Sequence, residues 1–431
     1  MQFINKDVIL MNLKTILTSL SVALATLSTP FTLSAQNPHR YVGGDISLLP
    51  EYEKAGAKYF DHDGTPIDHL LPFLHNEGMN AMRVRLFVEP DKYTGADADP
   101  NACQSMEYIL PLCREIKENG FALMLDFHYS DTWADPGKQW TPSAWANLSD
   151  DELYAKIYDY TKESLQTLAD AGVVPEFIQT GNEISFGMLW GPYGSSDSDL
   201  KKTFLGSDDN WERLGKLLKN AIKACREECP DAKIVLHTER TADVAVQDNF
   251  YARMHEMDVN YDIIGLSYYP YFHGPLSSLN TAINSLERNF PDKEIMVVET
   301  GYSYKWEVPG SNVNVDYPYS DEGQNQFAKD LVDMLLSHEK VTGLFWWWME
   351  YNAYSTNLSG WYNAPLFDST TGRATSALKT ICGFASESGS VSTIDALRPV
   401  NDIYYNLNGQ RVYNPSQGLY INNGRKILIT R

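Results

Sequence analysis

The 431-residue chain is poor in cysteine and in positive charge, and it has no long apolar run after its N-terminus. Without a run of about 20 apolar residues, no membrane-spanning helix is predicted. Lys and Arg number 35 against 56 Asp and Glu, a formal net charge of −21, which repels phosphate backbones and argues against a nucleic-acid partner. Five cysteines in a chain of this length do not indicate a disulfide framework.

Cofactor motifs are also missing. The sequence has no zinc-type ligand spacing and no glycine-rich phosphate loop, so no cofactor is expected to be required. Aromatic residues, in contrast, make up 12% of the chain. Their flat apolar faces and the acidic balance together favour a neutral ligand such as a sugar, bound by a monomer.

The first 35 residues have the pattern of a signal peptide. Lys14 precedes an apolar stretch that ends in Leu33-Ser34-Ala35, an acceptable cleavage site. A frayed N-terminal helix is the alternative. We therefore expect an exported protein with a periplasmic, cell-surface or extracellular location.

Eight short apolar runs that end in polar residues alternate with amphipathic stretches. Near-continuous apolar runs are typical of strands buried on both faces of a parallel sheet. Eight such units predict an α/β fold of the (β/α)8 TIM-barrel type, whereas a doubly wound open sheet would need a phosphate loop that is absent. The runs are Tyr41–Ser47, Ala81–Phe87, Ala122–His128, Phe177–Glu183, Lys233–Glu239, Ile263–Tyr269, Glu294–Thr300 and Gly343–Met349.

The composition changes after residue 384. We predict a catalytic domain over residues 36–384, a Ser- and Gly-rich linker over 385–394, and a small β module over 395–431. Asn408-Gly409 and Asn423-Gly424 are hairpin-turn signals within that module. A unit of this size is marginally stable alone, and we expect an attachment or sorting role.

Two carboxylates end the fourth and seventh runs, Glu183 and Glu299. Side chains at the carboxyl ends of barrel strands face the active site, and these two strands lie on roughly opposite sides of the barrel. Hydrolysis of a glycosidic bond needs such a pair, one group to protonate the leaving oxygen and one to attack or to activate water. The sequence therefore predicts a glycosidase site.

Several longer motifs make the chain resemble glycoside hydrolase family 53, the endo-β-1,4-galactanases of the clan of retaining (β/α)8 glycosidases. The resemblance runs from about Tyr41 to Gly383 and implies that Glu183 is the acid/base and Glu299 the nucleophile. The motifs are Gly44-Asp45-Ile46-Ser47, Arg83-Val84-Arg85, the run Asp126–Pro136, Thr180-Gly181-Asn182-Glu183, Ser267-Tyr268-Tyr269-Pro270 and Val298-Glu299-Thr300.

Other strand-end residues are expected to support the pair. Asn182 is expected to bind the sugar 2-hydroxyl, and Arg85, secondarily Arg83, to supply positive charge to Glu299. The arginines could instead form a brace with Asp45 or Asp126. His128 and His237 could orient the nucleophile, bind sugar hydroxyls or be structural.

The aromatic residues of the site are assigned by the same reasoning. Either Tyr268 or Tyr269 should lean toward Glu299, and the clan pattern favours Tyr268. Trp347 is expected to stack beneath the sugar, with Trp346 and Trp348 facing the helices. Trp133, with Trp140 and Trp145 on the same loop, could stack distal sugars or pin the loop.

The resemblance implies a retaining endo-β-1,4-galactanase acting on β-1,4-galactan or type I arabinogalactan. A mannanase or glucanase of the same clan is the first alternative, and a glycan-binding barrel without catalysis is the second. Some bacterial relatives hold calcium, so a structural Ca²⁺ near Asp316 and Asp321 is a further expectation. The eighth strand departs from the family pattern at Trp347-Trp348-Met349-Glu350-Tyr351, which leaves the product length open.

Overall fold

The computed structural model describes residues 39–204, 209–308, 316–358 and 365–386, and in the tail residues 392–393, 404–406, 411–412, 418–422 and 425–429. The predicted signal peptide lies outside these residues. Within them, no helix is long and apolar enough to cross a membrane. All five cysteines are free thiols, and four of them are buried.

Eight parallel strands close into a barrel in sequence order, with the last strand paired to the first. The TIM-barrel prediction is therefore confirmed. The strands are β1 (Tyr41–Asp45), β2 (Ala81–Leu86), β3 (Ala122–Phe127), β4 (Phe177–Thr180), β5 (Lys233–Thr238), β6 (Ile263–Tyr268), β7 (Glu294–Thr300) and β8 (Val341–Trp346). A two-stranded ladder joins Tyr59–Phe60 to Pro66–Ile67.

Alternate residues of the strands point into the barrel and fill it with side chains. The apolar interior layer is formed by Ala81, Met124, Phe177, Val235, Ile263, Met296, Val298 and Phe345. The other face of each strand packs on the helices in a second, larger core. Burial on both faces explains why the strands are almost continuously apolar in sequence.

Helices cover the outside of the barrel. They are α1 (Leu49–Lys54), α2 (Leu70–Glu77), α3 (Met106–Glu118), α4 (Asp150–Asp170), α5 (Asp209–Glu228), α6 (Val244–Glu256), α7 (Pro270–His273), α8 (Leu276–Asn289), α9 (Asp321–Leu336) and α10 (Ser376–Cys382). Helix α4 begins at a capping box in which Ser149 and Glu152 satisfy each other's backbone N–H groups.

The tail forms a separate five-stranded sheet. Its strands are β9 (Ser392–Thr393), β10 (Tyr404–Tyr405), β11 (Arg411–Val412), β12 (Gly418–Asn422) and β13 (Arg425–Ile429). Strand β9 lies within the predicted linker and pairs in parallel with β13. The two Asn-Gly turn signals lie outside the described residues, and the domain boundaries stay predictions.

Candidate active site

A cavity of about 380 Å³ opens at the carboxyl ends of the barrel strands. It contains both predicted carboxylates, together with Asn182, Trp133 and Trp347. The complete lining is Trp133, Ala134, Asp135, Pro136, Asn182, Glu183, Glu239, Tyr269, Phe272, His273, Glu299 and Trp347. The strand-end argument from sequence thus brings the catalytic pair and three of the expected supporting residues into one cavity.

Glu183 reaches the cavity because the chain turns sharply after β4. Gly181 has a φ of 103°, and Glu183 itself has a φ of 49°, a left-handed conformation that non-glycine residues adopt rarely. The Ser267 hydroxyl donates to Glu183 Oε1 at 2.6 Å. Strained backbone of this kind is typical of functional positions and supports a specialised role for Glu183.

The electrostatic surroundings of Glu183 favour its protonated form. Burial raises the pKa of Glu183 well above its ordinary value, and the negative charges of Glu299 and Glu239 raise it further. The hydrogen bond from Ser267 acts in the opposite direction but is the smaller effect. Glu183 therefore keeps a proton that it can donate near neutral pH.

Glu299 is the better stabilised of the two carboxylates. Arg83 Nη1 lies 3.0 Å from Oε1, and the Tyr269 hydroxyl donates to Oε2 at 3.2 Å. Burial raises the pKa of Glu299 to about 7, while Arg83 and Tyr269 oppose the rise. Because Glu183 has no cation in this position, Glu299 is the member of the pair that ionises first.

Arg83, and not the favoured Arg85, is the cation that contacts Glu299. Its fully buried guanidinium also donates to Asp126 Oδ2 at 2.7 Å and to Asn182 Oδ1 at 2.9 Å. Both arginines point inward, since they share one face of β2, but their levels in the barrel differ. The preference for Arg85 was therefore wrong, because the period of 2 defines the face of the strand on which a side chain lies and not its level in the barrel.

Arg85 forms a brace instead. Its Nη1 donates to Asp45 Oδ1 at 2.6 Å, and its guanidinium carbon lies 4.7–5.3 Å from the ring centroids of three indoles. These are Trp133, Trp347 and Trp348. Such contacts stabilise both the cation and the rings, so Arg85 holds the cavity wall formed by Trp133 and Trp347 in place.

Tyr269 contacts the nucleophile position, and the expectation for Tyr268 is wrong. The Tyr268 hydroxyl donates to the Gly274 carbonyl at 2.8 Å, and its ring packs on Phe327 outside the barrel. Ile263 and Ser267 face the barrel interior. Because Tyr269 is two residues beyond Ser267, the same alternation points its side chain inward. Strand periodicity alone therefore indicates the correct tyrosine, whereas the clan pattern did not.

The two histidines lie beneath the cavity and do not line it. His128 Nδ1 accepts from the Ala134 N–H at 3.2 Å, and its Nε2 lies 3.0 Å from Asp126. His237 lies between Asn182 Oδ1, at 3.0 Å, and Ser267 Oγ, at 2.8 Å. Burial lowers the pKa of both rings, so they are neutral and support their neighbours by hydrogen bonds.

The amide of Asn182 is held in a fixed orientation. Its Nδ2 donates to the Ala134 carbonyl at 2.9 Å, and its Oδ1 accepts from Arg83. Trp133 and Trp347 meet at a ring-centroid distance of 6.0 Å and form one aromatic wall of the cavity. Trp348 belongs to a small cluster with Leu48, Tyr351 and Tyr52, and Tyr52 lies on helix α1.

Three cavity residues outside the quoted motifs, Glu239, Phe272 and His273, were absent from the predicted site. Glu239 directly follows β5. Its side chain points inward because it continues the alternation that places Val235 and His237 inside the barrel. That periodicity was a usable signal for Glu239. Phe272 lies on α7, a one-turn helix after β6, and nothing in the strand pattern pointed to it.

The calcium expectation stays a prediction. Asp321 accepts from the Ser376 N–H and hydroxyl, at 3.0 and 2.7 Å, and these bonds connect α9 to α10. No group of three or more His, Cys, Asp or Glu side chains suited to a metal occurs among the described residues, which here omit 309–315. Asn312 and Asn314, whose side-chain oxygens are further candidate calcium ligands in the sequence, lie in that omitted segment.

Comparisons with known proteins agree on one family. The sequence model of Glycosyl hydrolase family 53 matches residues 41–381. An endo-β-1,4-galactanase of Bacillus subtilis is 31% identical, over 71% of this chain and 68% of its own length. Arabinogalactan endo-β-1,4-galactanase A of Aspergillus niger is 30% identical, over 71% and 84%. The GH53 catalytic domain of Ignisphaera aggregans is 32% identical with a TM-score of 0.68, covering 82% of this chain and 98% of that domain.

Proposed function

Because the chain belongs to glycosyl hydrolase family 53 and is therefore a glycoside hydrolase, we propose that it is an exported, retaining endo-β-1,4-galactanase. The substrate class follows the curated relatives, which are named as galactanases acting on arabinogalactan or galactan. One observation carries the proposal: the buried Glu299 and the half-buried Glu183 share a cavity, and the surroundings of Glu299 favour ionisation more than those of Glu183 do.

In the first step Glu299 attacks the anomeric carbon of the galactosyl unit at the cleavage point. Glu183 donates its proton to the departing glycosidic oxygen, so the bond breaks without release of an alkoxide. A covalent galactosyl ester with Glu299 results. Arg83 and Tyr269 hold Glu299 by hydrogen bonds and charge, which fixes the direction of attack.

In the second step Glu183, now ionised, takes a proton from water. The water oxygen attacks the anomeric carbon, the ester bond to Glu299 breaks, and the configuration of the anomeric carbon is retained. Asn182 lies beside Glu183 with its amide held by Ala134 and Arg83. That position suits a hydrogen bond with the sugar 2-hydroxyl, which strengthens as positive charge develops at the anomeric centre.

A product profile tests the activity and its substrate together. The protein is incubated with linear β-1,4-galactan, and with β-mannan and β-glucan as controls. We expect short galacto-oligosaccharides from galactan only, and the ¹H NMR spectrum of the first products to show the β-anomer. Cleavage of mannan or glucan instead would contradict the substrate assignment, and an initial α-anomer would contradict the double displacement.

Export is tested separately on the whole chain. We expect the protein recovered outside the cytoplasm to begin near Gln36, after removal of the predicted signal peptide. N-terminal sequencing of the recovered protein measures this directly. A chain that stays in the cytoplasm with its first 35 residues intact would contradict export.

A further inference from the structure

Besides the wall formed by Trp133 and Trp347, the cavity has a second wall formed by Glu239, Phe272 and His273. Glu239 follows β5 and is 7% exposed, and its Oε2 is buried without a hydrogen-bond partner. Its other oxygen, Oε1, accepts a short hydrogen bond from the Ser185 hydroxyl. A buried carboxyl oxygen without a partner is costly, so an unpaired one at a cavity surface indicates a ligand contact.

An aromatic ring lies on the same wall. Phe272 lines the cavity yet is 49% exposed, although large apolar side chains are normally buried. Beside it, His273 Nδ1 accepts from the Tyr269 N–H at 2.9 Å, which fixes the loop after β6. The wall is therefore a rigid pairing of one apolar face with one polar atom, a combination suited to a sugar ring.

The order of the strands tells which sugar this wall faces. The tryptophan wall follows β3 and β8, the nucleophile position lies on β7, and Glu183 follows β4. A galactosyl unit on Trp347, with its anomeric carbon at Glu299, directs its glycosidic oxygen to Glu183. The next sugar, which departs with that oxygen, continues past Glu183 toward the ends of β5 and β6.

We propose that Glu239 and Phe272 bind the leaving galactosyl residue, with Glu239 Oε2 bonded to one of its hydroxyls and Phe272 stacked on its ring. The inference rests on the proposed function. It assigns residues to the part of the cavity that binds the leaving sugar, for which the catalytic pair gives no assignment. Interactions with the departing sugar that persist into the transition state raise the rate as well as the affinity.

The charged and titratable groups around Glu239 come from three loops. Arg240 Nη1 lies 3.9 Å from Oε1, and Arg240 itself packs over Phe186. Glu183 lies across the cavity, and burial lowers the pKa of His273 to about 4, so that ring is neutral. Burial raises the pKa of Glu239 to about 7, and a protonated Glu239 would donate the same hydrogen bond that the ionised form accepts.

Two substrates separate binding of the leaving sugar from the chemistry. Galactotetraose has a sugar leaving group, whereas β-galactobiosyl fluoride leaves a single atom and cannot contact this wall. For Glu239→Gln and Phe272→Ala, each at its own optimum pH, we expect kcat/KM to fall about 10- to 100-fold on galactotetraose. On the fluoride, which needs no proton from Glu183, we expect a change of less than about threefold. Methyl β-galactobioside, followed by release of methanol, needs that proton but has no leaving sugar, so its rate should also change less than about threefold. A loss on the methyl glycoside would assign the effect to the acidity of Glu183 and would overturn the inference.

Matched controls are available in the same chain. Phe204 is also 50% exposed but does not line the cavity, and Glu339 is an exposed glutamate remote from it in the described structure. Phe204→Ala and Glu339→Gln should leave both rates unchanged. Equal losses on the two substrates, or no loss on galactotetraose, would overturn the inference, whereas a wild-type protein inactive on both would overturn the proposed function instead. Thermal melting of each variant establishes that it is folded.

Discussion

At the scale of single residues, the site depends on which groups can be charged together. Asp45, Asp126 and Glu299 all lie within 3.4 Å of the Arg83 guanidinium, and the two neighbouring histidines are neutral. One buried cation therefore contacts three carboxylates, and removing it would leave Asp126 and Glu299 without a cation, whereas Asp45 would keep Arg85. The nearby hydroxyl of Tyr269 can be removed with far less disruption, which makes it the better probe.

Tyr269→Phe deletes one hydrogen bond to Glu299 and should raise the pKa of that carboxyl. Since attack requires ionised Glu299, the acidic limb of the kcat/KM profile should move to higher pH, by about 0.4–1 unit for a bond of about 0.5–1.5 kcal/mol. Tyr268→Phe is the control, because its hydroxyl donates to the Gly274 carbonyl and not to Glu299. An unchanged limb in Tyr269→Phe would refute the contact's role.

Replacement of either carboxylic acid tests the catalytic pair. Glu183→Gln and Glu299→Gln should each lower kcat by several orders of magnitude on galactan and preserve the fold and substrate binding. A variant that keeps more than about a tenth of the activity would show that the role given to that residue is wrong.

Chemical rescue distinguishes the two carboxyl roles. For Glu183→Ala on a substrate with a good leaving group, added azide should restore turnover and give a β-galactosyl azide, because only the second step then lacks its base. The same treatment of Glu299→Ala should not give the β-azide. The NMR spectrum of the product identifies the anomer of the azide. A β-azide from Glu299→Ala would reverse the assignment.

At the scale of elements, the sequence pattern located all eight strands but not the geometry at their ends. Strand β4 ends at Thr180, three residues before the predicted Glu183, because Gly181 takes the chain out of the sheet. On β7 the pairing register shifts beyond Val297, so Val298 and Glu299 both reach the interior. Strict alternation would have pointed Glu299 outward, and only tertiary pairing reveals the irregularity.

The turn after β4 can be tested at Gly181. An added Cβ there would lie 2.7 Å from Ile184 Cγ2, in a backbone conformation that side chains disfavour. Gly181→Ala should destabilise the protein by about 1–3 kcal/mol and lower kcat by displacing Glu183. Gly56→Ala shares the positive φ but meets nothing within 4 Å, so it should cost about 1 kcal/mol at constant kcat. Equal activities in the two variants would argue against a positioning role for this turn.

At the scale of the whole molecule, the buried carboxyl groups make stability depend on pH. Burial raises the pKa of Glu350 to about 8 and that of Glu239 to about 7, from an ordinary 4.5. Between these values the unfolded chain has released protons that the folded chain retains. The free energy of unfolding should therefore fall as the pH rises from about 4.5 to about 8. The net charge of −21 acts in the same direction, because repulsion between the negative charges also lowers the free energy of unfolding.

Glu350→Gln isolates part of this dependence. The glutamine oxygen can still accept from the Leu48 N–H, which Glu350 Oε1 accepts at 2.8 Å, but it cannot ionise. We expect the variant to lose less stability than the wild type between pH 5 and pH 8, measured by urea unfolding at several pH values. The exposed Glu339→Gln should follow the wild type. Identical pH slopes in all three proteins would contradict a raised pKa at Glu350.

The tryptophans around Arg85 give the molecule an optical property. Trp347 faces the cavity while its neighbours Trp133 and Trp348 contact the same guanidinium, so the three indoles share one environment. A sugar placed on Trp347 displaces water from that ring and changes the polarity sensed by its excited state. Intrinsic fluorescence of the inactive Glu183→Gln protein should thus follow ligand occupancy directly, and it would yield dissociation constants for uncleaved oligosaccharides without any label.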